Sequence, residues 1–181
     1  MKTLRTLVVL PLLSSALTVG AVDVIKADNA TDLNQNGSWM SGASPTSSDV
    51  AVWDSTVTSA NSPNTGANLS WLGLRISNPG ADVTIGGGNT ITFGPSGLDM
   101  SASTVNLTLN CSPSVSANQS WNIAANIQCE VNTLFAGSSL LTKAGPGTLL
   151  HANNSSSFSG GIIVNGGKLV CHGWAADGSF P

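Results

Sequence analysis

Charge is the scarcest property of this 181-residue chain, with Asp, Glu, Lys and Arg together making up 8% of it. That is about a third of the share in an ordinary globular domain. Tyrosine is absent, Glu130 is the sole glutamate, and Arg75 is the only arginine after Arg5. The net charge is −3, with no basic run and no basic–aromatic interleaving to neutralise phosphates, so nucleic acid is not an expected partner. No window carries apolar residues at helical period, and the Glu, Lys and Arg that usually cover helix faces are missing. The polar surface must come from Ser, Thr, Asn and Gly, which suits extended β structure.

What is present begins with Lys2 and Arg5 ahead of "LVVLPLLSSALTVGA", closed by the small residues Val19-Gly20-Ala21. This reads as a secretory signal peptide over 1–21. A membrane anchor would need about 20 apolar residues, and this run is shorter and broken by Pro11. The mature chain is therefore expected to be secreted or at the cell surface, with no transmembrane segment after cleavage. No cysteine follows the apolar run, so a lipoprotein is not supported. Export permits disulfides, but Cys111, Cys129 and Cys171 are odd in number. Cys111 and Cys129 are the nearest pair and the candidate disulfide; burial as small apolar side chains is the alternative.

Residues 22–66 read as an irregular capping segment with one strand candidate, "DVAVWD". Asp28, Asp32, Asp49 and Asp54 fall there without EF-hand or nonapeptide spacing, so Asx-turns and caps account for them better than calcium does. From 67 to 181 the rhythm is regular. "LSWLGLRI", "DVTI", "NTITF", "TVNLTLN", "SWNIAA", "QCEVN", "SLLT", "GTLLHA", "GGIIVN" and "GKLVCH" are short apolar or alternating runs, separated by turn formers such as Asn78-Pro79-Gly80 and Gly86-Gly87-Gly88. Many short strands at such spacing mean an all-β fold. "GTLLHA" from Gly147 and "GKLVCH" from Gly167 start twenty residues apart, which would lay Leu149 over Leu169, Leu150 over Val170 and His151 beside Cys171. A period of 20 to 25 residues is one coil of a parallel β-helix, whose like residues stack. The expected fold is a single-stranded right-handed parallel β-helix, a β-solenoid of about five to seven rungs, roughly 25–35 Å long.

The stretch "LLTKAGPGTLLHANNSSSFSGGIIVNGGKLV", residues 140–170, resembles the autotransporter-associated β-strand repeat, also called the passenger-associated transport repeat. Leu141, Lys143, Gly145, Gly147, Thr148, Leu149, Asn153 or Asn154, Phe158, Gly160, Gly161, Val164, Gly167 and Leu169 fall on its outline. The resemblance implies an exported surface protein whose repeat lies in a right-handed β-helix passenger and assists secretion or folding. Upstream segments look like the N-terminal part of large repeat-bearing exported bacterial proteins. The closing "HGWAADGSFP" looks like the start of another rung, so the chain is expected to be a fragment or truncated form. It has no room for the family's translocator barrel, which leaves the delivery route open.

Catalysis on a polysaccharide would need clustered carboxylates, whereas Asp82, Asp99, Glu130 and Asp177 are spread out. His151, Cys171 and His172 are the only metal-like set, and the twenty-residue register brings just two of them together, short of the three or four ligands zinc needs. No G-x-S-x-G elbow occurs, and Gly86-Gly87-Gly88 is not followed by a helix or lysine that would make a phosphate cradle. Trp71 and Trp121 sit in strand candidates and read as core, while Trp39 and Trp53 read as a cap on the first rung. The expectation is a structural or adhesive surface segment with no enzyme activity and no cofactor, its partners surface glycans or other cell-surface proteins. The alternative is a carbohydrate-binding or polysaccharide-processing module on the same scaffold, using exposed tryptophans.

Overall fold

The computed structural model describes residues 21–153 and 156–172. The first 20 residues of the signal segment, Asn154, and the closing stretch with Trp174 and Asp177 lie outside them. Fifteen strands and one 3-10 turn (Asn36–Ser38) make up the regular structure of the described residues. In order the strands are β1 (Val22–Ile25), β2 (Asp49–Trp53), β3 (Leu69–Ile76), β4 (Val83–Ile85), β5 (Thr90–Met100), β6 (Leu107–Leu109), β7 (Ser112–Val115), β8 (Gln119–Ile123), β9 (Gln128–Val131), β10 (Phe135–Gly137), β11 (Leu141–Ala144), β12 (Thr148–His151), β13 (Ser156–Phe158), β14 (Ile162–Val164) and β15 (Lys168–Cys171).

Every ladder between these strands is parallel, and partners are a coil apart, so the chain is a β-solenoid of about five turns. Each coil lays strands on three faces. The first face holds the leading halves of β3 and β5 and then β7, β10 and β13. The second holds β1, β2, the trailing halves of β3 and β5, then β8, β11 and β14. The third is the five-stranded sheet of β4, β6, β9, β12 and β15. The register gives Leu149 to Leu169, Leu150 to Val170 and His151 to Cys171, the twenty-residue stacking read from the two Gly-x-Leu segments. Higher up the step is longer, Leu107 pairing with Cys129 and Val83 with Leu107.

Inward positions alternate along most strands, β2 being buried on both sides from Val50 to Trp53, and are almost wholly apolar, because a buried polar side chain needs a partner that a strand interior rarely supplies. Val83, Leu107, Cys129 and Leu149 make one interior column, and Ile85, Leu109 and Val131 the next. Trp39, Trp53, Trp71, Phe93, Trp121, Phe135 and Phe158 run down the axis as a continuous aromatic spine, with neighbouring centroids 5.0–6.4 Å apart and mostly edge to face. Such contacts add to area burial.

Two boundaries differ from the sequence reading. The segment 22–66 is not merely an irregular cap. β1 and β2 are in-register members of the second face, and Asn61 and Asn64 bridge to Val83 and Gly86 on the third. The solenoid thus begins at Val22, and the plug proper is the loop between β1 and β2. There Trp39 is buried, its indole N–H donates to Leu33 O at 2.9 Å, and its ring meets those of Trp53 and Trp71. The second difference is β5, which runs through Gly94-Pro95 as one strand and serves two faces. No helix among the described residues is long and apolar enough to cross a membrane.

Candidate functional site: the lysine corner of the repeat

The motif at 140–170 occupies the last two described coils, from β11 to β15. Leu141 and Leu149 point inward and are buried, and Phe158 packs on Phe135 at 5.0 Å. Val164 and Leu169 take the inward positions below Lys143 and Leu149, so they belong to the same columns one coil down. Thr148 opens β12, half-buried. Gly147 and Gly160 are required by close approach: a Cβ would lie 2.2 Å from Ala124 O at the first and 1.9 Å from Ser139 O at the second. Gly145 (φ 74°), Gly161 (φ 79°) and Gly167 (φ 68°) turn corners in the left-handed region, which side chains disfavour.

Lys143 is the unexpected member. Its inward column runs Leu74, Leu98, Trp121, Lys143, Val164, and it is fully buried. Its ammonium donates to Ala144 O at 2.7 Å, Gly145 O at 2.9 Å and Gly166 O at 3.1 Å, which uses all three of its N–H groups. Burial holds its pKa below the usual lysine value. Gly166 belongs to the next coil, so this side chain ties two successive corners together. The resemblance marks the lysine; its cross-coil acceptor carried no sequence signal, because any residue has a backbone carbonyl.

Sequence reasoning also missed a set of corner amides and carboxylates. Asn68 Oδ1 accepts from Thr90 N, Asn106 Oδ1 from Gln128 N and Asn118 Oδ1 from Leu140 N, each across 22 residues. Asp82 does the same for Asn106 N at 2.8 Å. Each side chain satisfies a backbone donor of the coil below at a turn, where the ladder is broken. The recurrence of Asn and Asp just ahead of strands, at coil spacing, was the available clue. Two of the other carboxylates act locally. Asp49 accepts from Thr46 and Asp54 from Thr56 N, as turns of this type lead one to expect, whereas Asp28 accepts from Thr58 Oγ1 at 2.6 Å, across 30 residues.

Cys111 and Cys129 are not bonded to each other. Cys129 sits in register with Leu107 and Leu149, whereas Cys111 lies beyond the end of β6, where its carbonyl accepts from Thr133 Oγ1. The two thiols thus belong to different columns, and the alternative reading of small buried side chains holds. Burial pushes the Cys111 thiol up to about 12 and the Cys129 thiol higher, which keeps both protonated and poor nucleophiles. His151 points inward beside Cys171. Its ring lies 5.8 Å from Phe135, Nε2 is 3.4 Å from Thr133 O, and burial lowers its pKa. Burial likewise raises the pKa of Cys171. Among the described residues no three His, Cys, Asp or Glu side chains group as a metal-holding set. Trp39, Trp53, Trp71 and Trp121 are all buried in the spine, not presented to a ligand.

No family model matches this chain, and neither the curated proteins nor the solved structures contain a match to it.

Proposed function

We propose that this chain is an exported cell-surface β-solenoid segment with a structural or adhesive role, and that its repeat assists folding of the passenger on the far side of the membrane. One observation carries the reading: most of the repeat's outline is used up by coil-to-coil contacts. Leu141, Leu149 and Phe158 fill the core, the glycines allow coils to approach, and Lys143 joins one corner to the next. A segment whose distinctive residues mostly face its own neighbours contributes a scaffold, and the small hydroxyl and amide residues outside keep that scaffold hydrated. The export half of the reading rests on the Lys2/Arg5 segment and its apolar run.

The decisive experiment fuses residues 1–181 to a reporter active only after export. Export and processing near Ala21 support the reading, and retention of the reporter inside the cell refutes it. Screening the purified chain on polysaccharide arrays separates the alternative: saturable binding or depolymerisation would replace the scaffold role with a carbohydrate-directed one.

A further inference from the structure

β14 poses a register problem that its own sequence does not solve. In a strand with one buried face, a slip of one residue exchanges the inward and outward sets, and alternating polarity normally forbids it. Ile162, Ile163 and Val164 are three apolar residues in a row between glycine pairs. A slipped β14 would turn Ile163 inward in place of the partly buried Ile162 and the exposed Val164 with little change in apolar contact. Leu169-Val170 on β15 gives the same weak instruction. Nevertheless one register is found: Leu141 with Ile162, Thr142 with Ile163, Lys143 with Val164.

The glycine corners on either side limit a slip, since Gly160 and Gly167 lie close on Ser139 and Gly147. The side chain of the coil above that distinguishes the alternatives is Lys143. Two of its acceptors, Ala144 O and Gly145 O, lie in its own coil, and the third, Gly166 O, arrives only with the next. A one-residue slip carries that carbonyl about 3.3 Å along the strand, out of hydrogen-bond reach. The ammonium would then be buried short of an acceptor, a heavily penalised state. An apolar residue in this column would pack equally well against either register.

We propose that Lys143 is a register lock: its buried ammonium admits the following coil only when the Gly166 carbonyl stands opposite it. This is a positioning role and does not depend on whether the chain is exported. A single buried polar group fixing register in an otherwise apolar seam has the same physical basis in coiled coils.

Paired cysteines on the outer surface read the register directly, in the full chain carrying Cys171→Ser. Thr142→Cys with Ile163→Cys reports the native alignment. Thr142→Cys with Ile162→Cys, or with Val164→Cys, reports a slip, because slipping turns those residues outward beside 142. With Lys143 present, a short bifunctional thiol reagent should join the native pair at least about tenfold more than either slipped pair, the ratio expected for 1.4 kcal/mol of preference. With Lys143→Met the slipped pairs should rise to a yield comparable with the native one. Leu141→Ala is the control, since it weakens the same strand without touching the lock, and it should keep the native pair dominant. Three results would overturn the proposal: native-only linkage in the Lys143→Met chain, scrambling in the Leu141→Ala chain, or loss of all three linkages in the Lys143→Met chain.

Discussion

Lys26 and Lys143 are the two fully buried lysines of the described residues, one near each end of the solenoid, and they satisfy the same need in different ways. Lys26 donates to Ala27 O at 2.8 Å, Asn29 O at 2.7 Å and Asn29 Oδ1 at 3.0 Å, so all its acceptors lie within three residues. Lys143 completes its set only by reaching 23 residues onward to Gly166. The N-terminal end is thus self-contained. Its plug brings Trp39 and Leu33 over the spine, and Asp23 puts a charge on the short edge strand β1, a usual way to blunt an edge. The last described coil carries the charge of Lys168 on its edge strand β15 but has no plug among the described residues: Ile163 is 51% and Val164 47% exposed, although Val164 occupies an inward column. In a stacked repeat, stability is close to a sum of coil terms and nearest-neighbour terms. One end should therefore behave as a cap and the other as an interface.

The largest effect that tests this contrast is a hole in the spine. Trp71→Ala removes a buried ring that meets Trp39, Trp53 and Phe93, and should cost about 3–5 kcal/mol. It should lower the denaturant midpoint of the whole molecule, because the plug loses its seat. Phe158→Ala removes a ring that touches Phe135 in the last described coil. It should raise amide exchange over 156–172 while the coils above keep their protection. Equal global destabilisation by the two would show that the ends are not distinct.

A smaller effect separates the lysines by pH. Burial, opposed in part by Asp28, lowers Lys26 from 10.5 to about 8. The unfolded chain therefore holds this proton more tightly than the folded one does. The contribution of Lys26 to stability should grow as pH goes from 8 to 10.5 and be lost as pH drops back through 8. The thiols of Cys111, Cys129 and Cys171, whose pKa values burial raises, act in the opposite sense above pH 9. Thermal melts at intervals across that window should show the midpoint of the native protein gaining on that of Lys26→Met as pH rises. Lys143, whose pKa burial also lowers, and the buried thiols are common to both chains and cancel in that difference. An unchanged slope in that variant would mean that Lys26 is not held as the structure has it.

How much of this was legible in the sequence depends on what each residue has to do. Strands of the third face were readable because each buries alternate apolar side chains, and the Leu149–Leu169 stacking followed from "GTLLHA" and "GKLVCH". β7, β10 and β13 on the first face were not. They are short, Phe135 and Phe158 are the only large core residues of β10 and β13, and Pro113 in β7 reads as a break. The start of the solenoid was placed too late because Asn61 and Asn64 join the third face through backbone bridges, which leave no apolar trace. At the lysine corner the motif was visible through resemblance, but its physics lies in carbonyl positions and a buried column. Those exist only once coils are stacked.

The smallest expected effect is at the rim of the capped end. Arg75 Nη1 lies 2.5 Å from Asp23 Oδ2, and its Nε lies 3.7 Å from Asp99 Oδ2, linking β1, β3 and β5 across the outside of the second face. All three side chains are more than a third exposed, so solvent screens the pairs and Arg75→Ala should cost under about 1 kcal/mol. What it should change is local: faster amide exchange over Val22–Ile25, with the last coil untouched. The difference should vanish near 1 M salt, where the screening length is about 3 Å. If exchange over 156–172 rose as well, strain at the capped end would be reaching the other, and nearest-neighbour stacking would not describe this solenoid.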